Sequence, residues 1–186
     1  MGKNKDGYNI YHFYIRKKDF PMKYSFVDLD ETLIHSNGDE DSVGLFGAIK
    51  IDFDGDLYYS TYRNGAREFL KRIRDTSDKT FMLTIATSDY AEKMNEIFEF
   101  GFDKNDIYSR YDIRGSRERM VRKPDLVPGK VFLYDNLRYY DNHEKIHFLY
   151  PYGELKYVQV PAFYGVGDLS PELIADLTSE TRETKV

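Results

Sequence analysis

Apolar residues along this chain fall in short runs that end on polar ones. Tyr24-Ser25-Phe26-Val27 stops at Asp28, Thr80 to Ala86 stops at Thr87-Ser88, and Lys130-Val131-Phe132-Leu133-Tyr134 stops at Asp135-Asn136. Runs of this length, bounded by polar residues, read as buried strands, and Lys156 to Val160 reads as a fourth. Between them the period changes. Ala66 to Arg74 puts Phe69, Leu70 and Ile73 on one helical face behind Asn64-Gly65, and Asp89 to Phe100 turns Met94, Ile97 and Phe98 inward before Gly101. Ser170-Pro171-Glu172 opens a last helix carrying Leu173, Ile174 and Leu177, with serine as cap and proline in the first turn. Ile49 to Tyr59 alternates around an Asp-Gly pair and predicts a hairpin. Strands separated by helices predict an α/β fold, a mainly parallel sheet flanked by helices. Ligands of such sheets sit beyond the carboxyl ends of the strands, where this chain repeatedly places polar residues.

Composition narrows the function. The 186 residues suit one domain, with a core over about 22–178 and polar termini at 1–7 and 179–186. Hydrophobic and charged fractions of 41% and 32% are those of a globular chain. There is no cysteine, so disulfides, thiolate metal sites and a cysteine nucleophile are excluded. The net charge of -5 disfavours nucleic acid as a partner through bulk electrostatics. Two local basic clusters remain: Arg16-Lys17-Lys18, which reads as solvated surface, and the arginine-rich 110–122 stretch, for which substrate binding stays open. No run reaches the roughly 18 to 20 apolar residues of a membrane span, and the polar start is unlike a signal peptide, so no membrane partner and a cytoplasmic location are expected.

The chemistry lies where the strands end. Phosphoryl transfer needs an in-line nucleophile, cations to offset charge, and a proton donor for the leaving oxygen. Asp28 can supply the nucleophile, giving an aspartyl-phosphate that divides one hard displacement into two easier ones. Asp30 can protonate the leaving alkoxide and later activate water, provided a tight turn at Thr32 folds the two carboxylates into one site. Lys123 would keep Asp28 ionised and meet phosphoryl oxygens, and Thr87 would donate a hydroxyl hydrogen bond, with Ser88 as its alternative. Mg2+ takes oxygen ligands and keeps several waters, so few carboxylates hold it; Asp28 and Asp135 are the best candidates. Asp141 reads as an exposed loop residue, and His35 as a residue that holds the loop.

Asp28-Leu29-Asp30-Glu31-Thr32-Leu33-Ile34-His35-Ser36 resembles the signature of the haloacid dehalogenase superfamily, in the form used by phosphatases of the RNA polymerase II C-terminal domain and their small relatives. Tyr62 to Leu70 is similar to the family's Arg-Pro helix start, with Asn64 where proline is usual; Ile85-Ala86-Thr87-Ser88, Val121 to Leu126 and Leu133 to Asn136 resemble its later motifs. The resemblance implies a Rossmann-like core, a small insert after the first motif, over about 37–61, in place of a large cap, and Mg2+. It further implies Asp28 as nucleophile, Asp30 as acid and base, and Thr32, Thr87, Ser88 and Lys123 around the phosphate. The metal would lie at Asp28, the Asp30 main-chain carbonyl, Asp135 and Asn136. An open site of this kind implies a phosphorylated protein or peptide as substrate. The competing expectations are a phosphatase of metabolites, nucleotides or nucleic-acid ends, and a phosphate-binding module without turnover.

Overall fold

In chain order the elements are β1 (Lys23–Val27), β2 (Ile34–Asn37), β3 (Ile49–Phe53), β4 (Asp56–Tyr62), α1 (Ala66–Asp75), β5 (Lys79–Leu83), α2 (Ser88–Ile97), β6 (Ile107–Tyr108), α3 (Arg110–Arg114), β7 (Gly129–Asp135), α4 (His143–Leu149), β8 (Gly153–Gln159) and α5 (Pro171–Leu177). They come from a computed structural model that describes residues 22–38, 48–53, 55–115 and 122–179. Arg16-Lys17-Lys18, Arg117, Arg119 and the acidic stretch at 39–42 lie outside the described residues.

β1 is apolar on both faces and sits at the centre. The main sheet has the order β6-β5-β1-β7-β8, and each neighbouring pair is parallel. Val27 of β1 joins one apolar cluster with Phe69, Leu70 and Ile73 of α1, Met94 of α2 and Ile174 of α5. Tyr24 and Phe26, pointing the other way, join Phe148 and Leu149 of α4. Helices therefore cover both faces, as expected of a parallel sheet whose strands are apolar throughout. The chain leaves β1 for β5 on one side and reaches β7 on the other. The carboxyl end of β1 thus lies at a reversal of strand order, where such sheets open a crevice.

The boundaries differ from expectation where polar side chains intervene. β5 ends at Leu83 rather than Ala86, because the Thr84 N–H still bonds Tyr108 O at 2.9 Å while its hydroxyl accepts the Ala86 N–H at 3.1 Å and turns the chain. α2 ends at Ile97 instead of Phe100, since the Asn95 amide holds the Phe102 N–H and carbonyl at 3.0 and 2.9 Å and draws the chain back. The hairpin is β3 and β4, and it gains a third strand: Ile34–Asn37 pairs antiparallel with β4, giving a small sheet of order β2-β4-β3. α1 starts at Gly65, whose φ of 84° is left-handed and whose missing Cβ would meet Leu169 O at 2.3 Å.

Candidate active site

The site begins with backbone register. Val27 pairs with Tyr134, and the Asp28 N–H donates to Tyr134 O at 2.9 Å, so Asp28 and Asp135 leave adjacent strands side by side. The chain then turns tightly: Leu29 O accepts the N–H groups of Leu33 and Ile34 at 2.9 and 3.2 Å, and Glu31 takes a left-handed φ of 59°. The turn brings Asp28 and Asp30 to one site. Arg63, only 2% exposed, staples it by donating from Nη1 to Pro161 O at 2.7 Å and toward Thr32 O at 3.4 Å, and from Nε to Gly167 O at 3.1 Å. His35 Nδ1 lies 2.9 Å from a Glu31 carboxylate oxygen, which gives it the loop-holding place expected of it.

The cation at the two carboxylates is Lys145. Its ammonium donates to Asp28 Oδ1 at 2.5 Å and to Asp135 Oδ2 at 2.7 Å, and it is 2% exposed. This contact was expected of Lys123. Lys123 instead is exposed and makes no ion pair or hydrogen bond among the described residues. The reason is next door: Arg122 donates to Asp112 Oδ1 at 3.1 Å and to the main-chain oxygens of Asn105 and Ile107, which pins the segment to β6, at the sheet's edge and two strands from β1. α4, by contrast, follows β7 and packs back on the central strands. Lys145 shares its buried stripe with Phe148 and Leu149, at i, i+3 and i+4. A lysine in the apolar stripe of a short helix behind the last acidic motif is the signal that would have found it. The loop before α4 is held by Asn142, whose amide donates to the Tyr157 hydroxyl at 3.0 Å, and by that hydroxyl donating to Leu137 O at 2.8 Å.

Two carboxylates face one ammonium in a buried place, and the charges do not balance. Burial pushes the Asp28 carboxyl up to about 8; Lys145 pulls it down and the neighbouring Asp135 pushes it further up. Lys145 is itself raised, because the two carboxylates outweigh its own burial. Asp30 lies above the usual carboxylate range, again chiefly through burial, with hydroxyls of Tyr90 and Thr84 and the charge of Lys145 acting against it.

An oxygen cluster marks the remaining side. The Thr32 hydroxyl is 3.4 Å from Asp28 Oδ2, 3.2 Å from Asn136 Oδ1, and accepts the Asn136 N–H at 3.2 Å. Asn136 Oδ1 in turn stands 3.2 Å from both Asp28 Oδ2 and the main-chain oxygen of Asp30. Three acceptors this close repel unless the amide presents its NH2 group or a cation sits among them. With its NH2 group presented, Asn136 donates to Asp28 Oδ2, the Asp30 main-chain oxygen and the Thr32 hydroxyl at 3.2 Å each, and a carboxylate beside a carbonyl oxygen is the donor chemistry that suits a hard divalent cation. Asp135 is turned away from it: Oδ2 takes Lys145 and Oδ1 takes the Leu137 N–H at 2.9 Å. No three His, Asp or Glu side chains form a metal-holding group among the described residues.

Thr87 and Ser88 separate at the start of α2. Thr87 caps the helix, accepting the Tyr90 N–H at 3.4 Å, and lines a cleft of about 460 Å³ together with Asp30, Phe53, Tyr58, Tyr90 and Arg110. The Ser88 hydroxyl lies 2.9 Å from Ser109 Oγ and lines a different hollow with Asp112 and Arg122. All three described arginines of the 110–122 stretch bond within the protein itself: Arg110 Nε donates to Ile85 O at 2.8 Å, Arg114 pairs with Glu144 at 2.7 Å, and Arg122 is pinned as above. Of these, Arg110 reaches the cleft.

The profile of the NLI interacting factor-like phosphatases matches residues 25–128, a span that holds Asp28, Asp30, Thr87 and Lys123 but ends before Asp135 and Lys145. No curated protein matches the chain. Among solved structures it is similar to a beryllium-fluoride-bound variant of the fission yeast RNA polymerase II CTD phosphatase Fcp1, at 16% identity and a TM-score of 0.48, over 78% of this chain and 44% of that one. It is also similar to a structure of Fcp1 described as an essential RNA polymerase II CTD phosphatase, at 19% identity and a TM-score of 0.47, over 82% of this chain and 46% of that one. The chain thus spans less than half the length of either.

Proposed function

Because the chain belongs to the NLI interacting factor-like phosphatases, a haloacid-dehalogenase type of phosphatase, we propose that it hydrolyses phosphate monoesters through an aspartyl-phosphate on Asp28, with Mg2+, and that the ester is a phosphoserine or phosphothreonine of a protein. One observation carries this reading: Asp28 gives one oxygen to Lys145 and turns the other toward the Thr32 hydroxyl and the Asn136 amide, beside the Asp30 carbonyl.

An Asp28 oxygen attacks phosphorus as the bond to the leaving alkoxide breaks, and Asp30 delivers its proton to that alkoxide. Asp30 then takes a proton from water, which attacks the phosphorus of the acyl phosphate and frees Asp28. A carboxyl held above its ordinary range suits this exchange, since a group close to the working pH both gives and takes protons readily. Lys145 draws Asp28 toward the anion against its burial and offsets charge that develops on the phosphoryl oxygens. Thr87, at the cleft wall, and Thr32, against Asp28, are hydroxyls that would donate to the phosphate. Asp28, the Asp30 carbonyl and Asn136 would hold Mg2+, which would supply further charge neutralisation for the phosphoryl group. Asp135 acts here by fixing Lys145.

The cleft supports a bulky substrate. Phe53 and Tyr58 come from the small sheet and Thr87 and Tyr90 from the core, so a phosphorylated side chain enters between the two while its polypeptide lies outside. The test is a panel of phosphopeptides, nucleotides and end-phosphorylated oligonucleotides with and without Mg2+. Selective, Mg2+-dependent cleavage of the phosphopeptides, lost on Asp28→Asn, is expected. Preference for nucleotides or ends would overturn the protein substrate, and turnover that survives Asp28→Asn would overturn the nucleophile.

A further inference from the structure

Tyr90 belongs to no motif, yet it joins the acid and base residue to the small sheet. Its hydroxyl is 2.9 Å from Asp30 Oδ1 and 2.8 Å from Ser36 Oγ of β2, and Ser36 Oγ is 2.6 Å from Ser60 Oγ of β4. Its ring meets Phe53 edge-on at 6.0 Å and Tyr58 at 6.2 Å. A phenol has one proton and a carboxylate only accepts, so the proton chain runs in one direction: Ser60 donates to Ser36, Ser36 to Tyr90, and Tyr90 to Asp30. Burial and the adjoining Asp30 push the Tyr90 hydroxyl up, so it remains a donor throughout the working range.

We propose that Tyr90 is the positioning residue for Asp30: anchored by Ser36 and wedged between Phe53 and Tyr58, its hydroxyl fixes the carboxyl in the orientation that delivers a proton to the leaving oxygen. The inference rests on the reading of Asp30 as the acid. With Oδ1 occupied by the phenol proton, the proton that Asp30 transfers is carried on Oδ2. It passes to the ester oxygen as the phosphorus–oxygen bond breaks and the bond to Asp28 forms, leaving Asp30 as the anion that Tyr90 still serves. The same ring lines the cleft, so the substrate's resting place and the aim of the acid share one side chain.

The consequence is a dependence on leaving group. Esters of acidic phenols depart without a proton, whereas esters of weakly acidic phenols and alcohols require one. The experiment measures kcat/KM, which reports phosphorylation of the enzyme, for a series of aryl phosphates of rising phenol pKa. Tyr90→Phe is expected to leave p-nitrophenyl phosphate within about twofold and to slow the poorest leaving groups by about tenfold or more, within the range that acid catalysis contributes. A Ser36→Ala, Ser60→Ala double variant, which removes the anchor but keeps the phenol, is expected to slow the same poor leaving groups selectively and to a smaller degree than Tyr90→Phe. In an Asp30→Asn background, Tyr90→Phe is expected to add nothing. A parallel fall on all esters, no fall on any, or an undiminished effect without Asp30 would overturn the proposal. Wild-type turnover that resists Asp28→Asn would instead overturn the underlying reading, so the two failures are distinct.

Discussion

Replacing Lys145 by Met keeps the stem that packs beside Phe148 and removes the charge that faces Asp28 and Asp135. On a generic aryl phosphate it is expected to lower kcat by about 10²–10³, the scale of losing one preorganised electrostatic contact. Lys123→Ala is expected to stay within about twofold, and an equal loss in the two variants would restore the role to Lys123. Lys145→Met also leaves two carboxylates unpaired, which typically costs about 3–5 kcal/mol, so activity is read below its lowered melting temperature. Arg63 illustrates a second role for buried charge. Its donors meet three main-chain carbonyls around the turn that presents Asp30. Arg63→Met is expected to destabilise the fold by a few kcal/mol, at about 1–3 kcal/mol per carbonyl left dry, as checked by urea unfolding.

At the scale of elements, the small sheet is the part of the described chain that stands over the cleft. Phe53 of β3 and Tyr58 of β4 line it without touching Asp28 or Lys145 in any hydrogen bond. Phe53→Ala with Tyr58→Ala is therefore expected to raise KM for a phosphopeptide several-fold while changing the p-nitrophenyl phosphate rate little. A matching loss on both esters would mean that the sheet supports the catalytic groups instead of the substrate. The short helix α4 has the opposite role, bringing one lysine to the crossing of β1 and β7. Its place depends on Asn142 and Tyr157, which fix the loop that feeds it.

For the whole molecule, the buried Asp28–Lys145–Asp135 group links stability to pH. The folded state holds the Asp28 carboxyl at about 8 against an ordinary 3.8. Between those values the folded chain binds a proton that the unfolded chain has released, so stability falls as pH rises. The contribution is full below about pH 4 and gone above about pH 8. Asp30 shifts in the same direction, and the raised Lys145 adds stability that is full below its ordinary 10.5 and is lost only as pH rises beyond it. Metal-free protein is expected to melt lower at pH 8.5 than at pH 5.5, and Asp28→Asn to flatten that difference. Added Mg2+ is expected to restore more at the higher pH, where the oxygens are anionic. Identical shifts by Mg2+ at both pH values would speak against a site at Asp28. No helix among the described residues is long and apolar enough to cross a membrane.

Local order was legible in the chain. The runs that end at Asp28, Thr87 and Asp135 name three strands of one parallel sheet, because a strand covered on both faces must be apolar throughout and must stop where the chain meets polar ligands. The signature from Asp28 to Ser36 carried the family for the same reason: the proposed nucleophile, the proposed acid and the turn lie within a few residues, so their geometry is local. What tertiary structure decided was every contact made across the sheet. Lys123 and Lys145 are both single lysines in unremarkable settings. Sequence order favoured the first, but Arg122 ties that segment to the sheet's edge, and the return of α4 behind β7 puts the second 2.5 Å from Asp28. Tyr90 likewise becomes a partner of Asp30, 60 residues away along the chain, only when α2 packs beside the turn that follows β1. Spacing records neighbours along the backbone; a charge or a hydroxyl brought in by a separate element leaves no spacing to read.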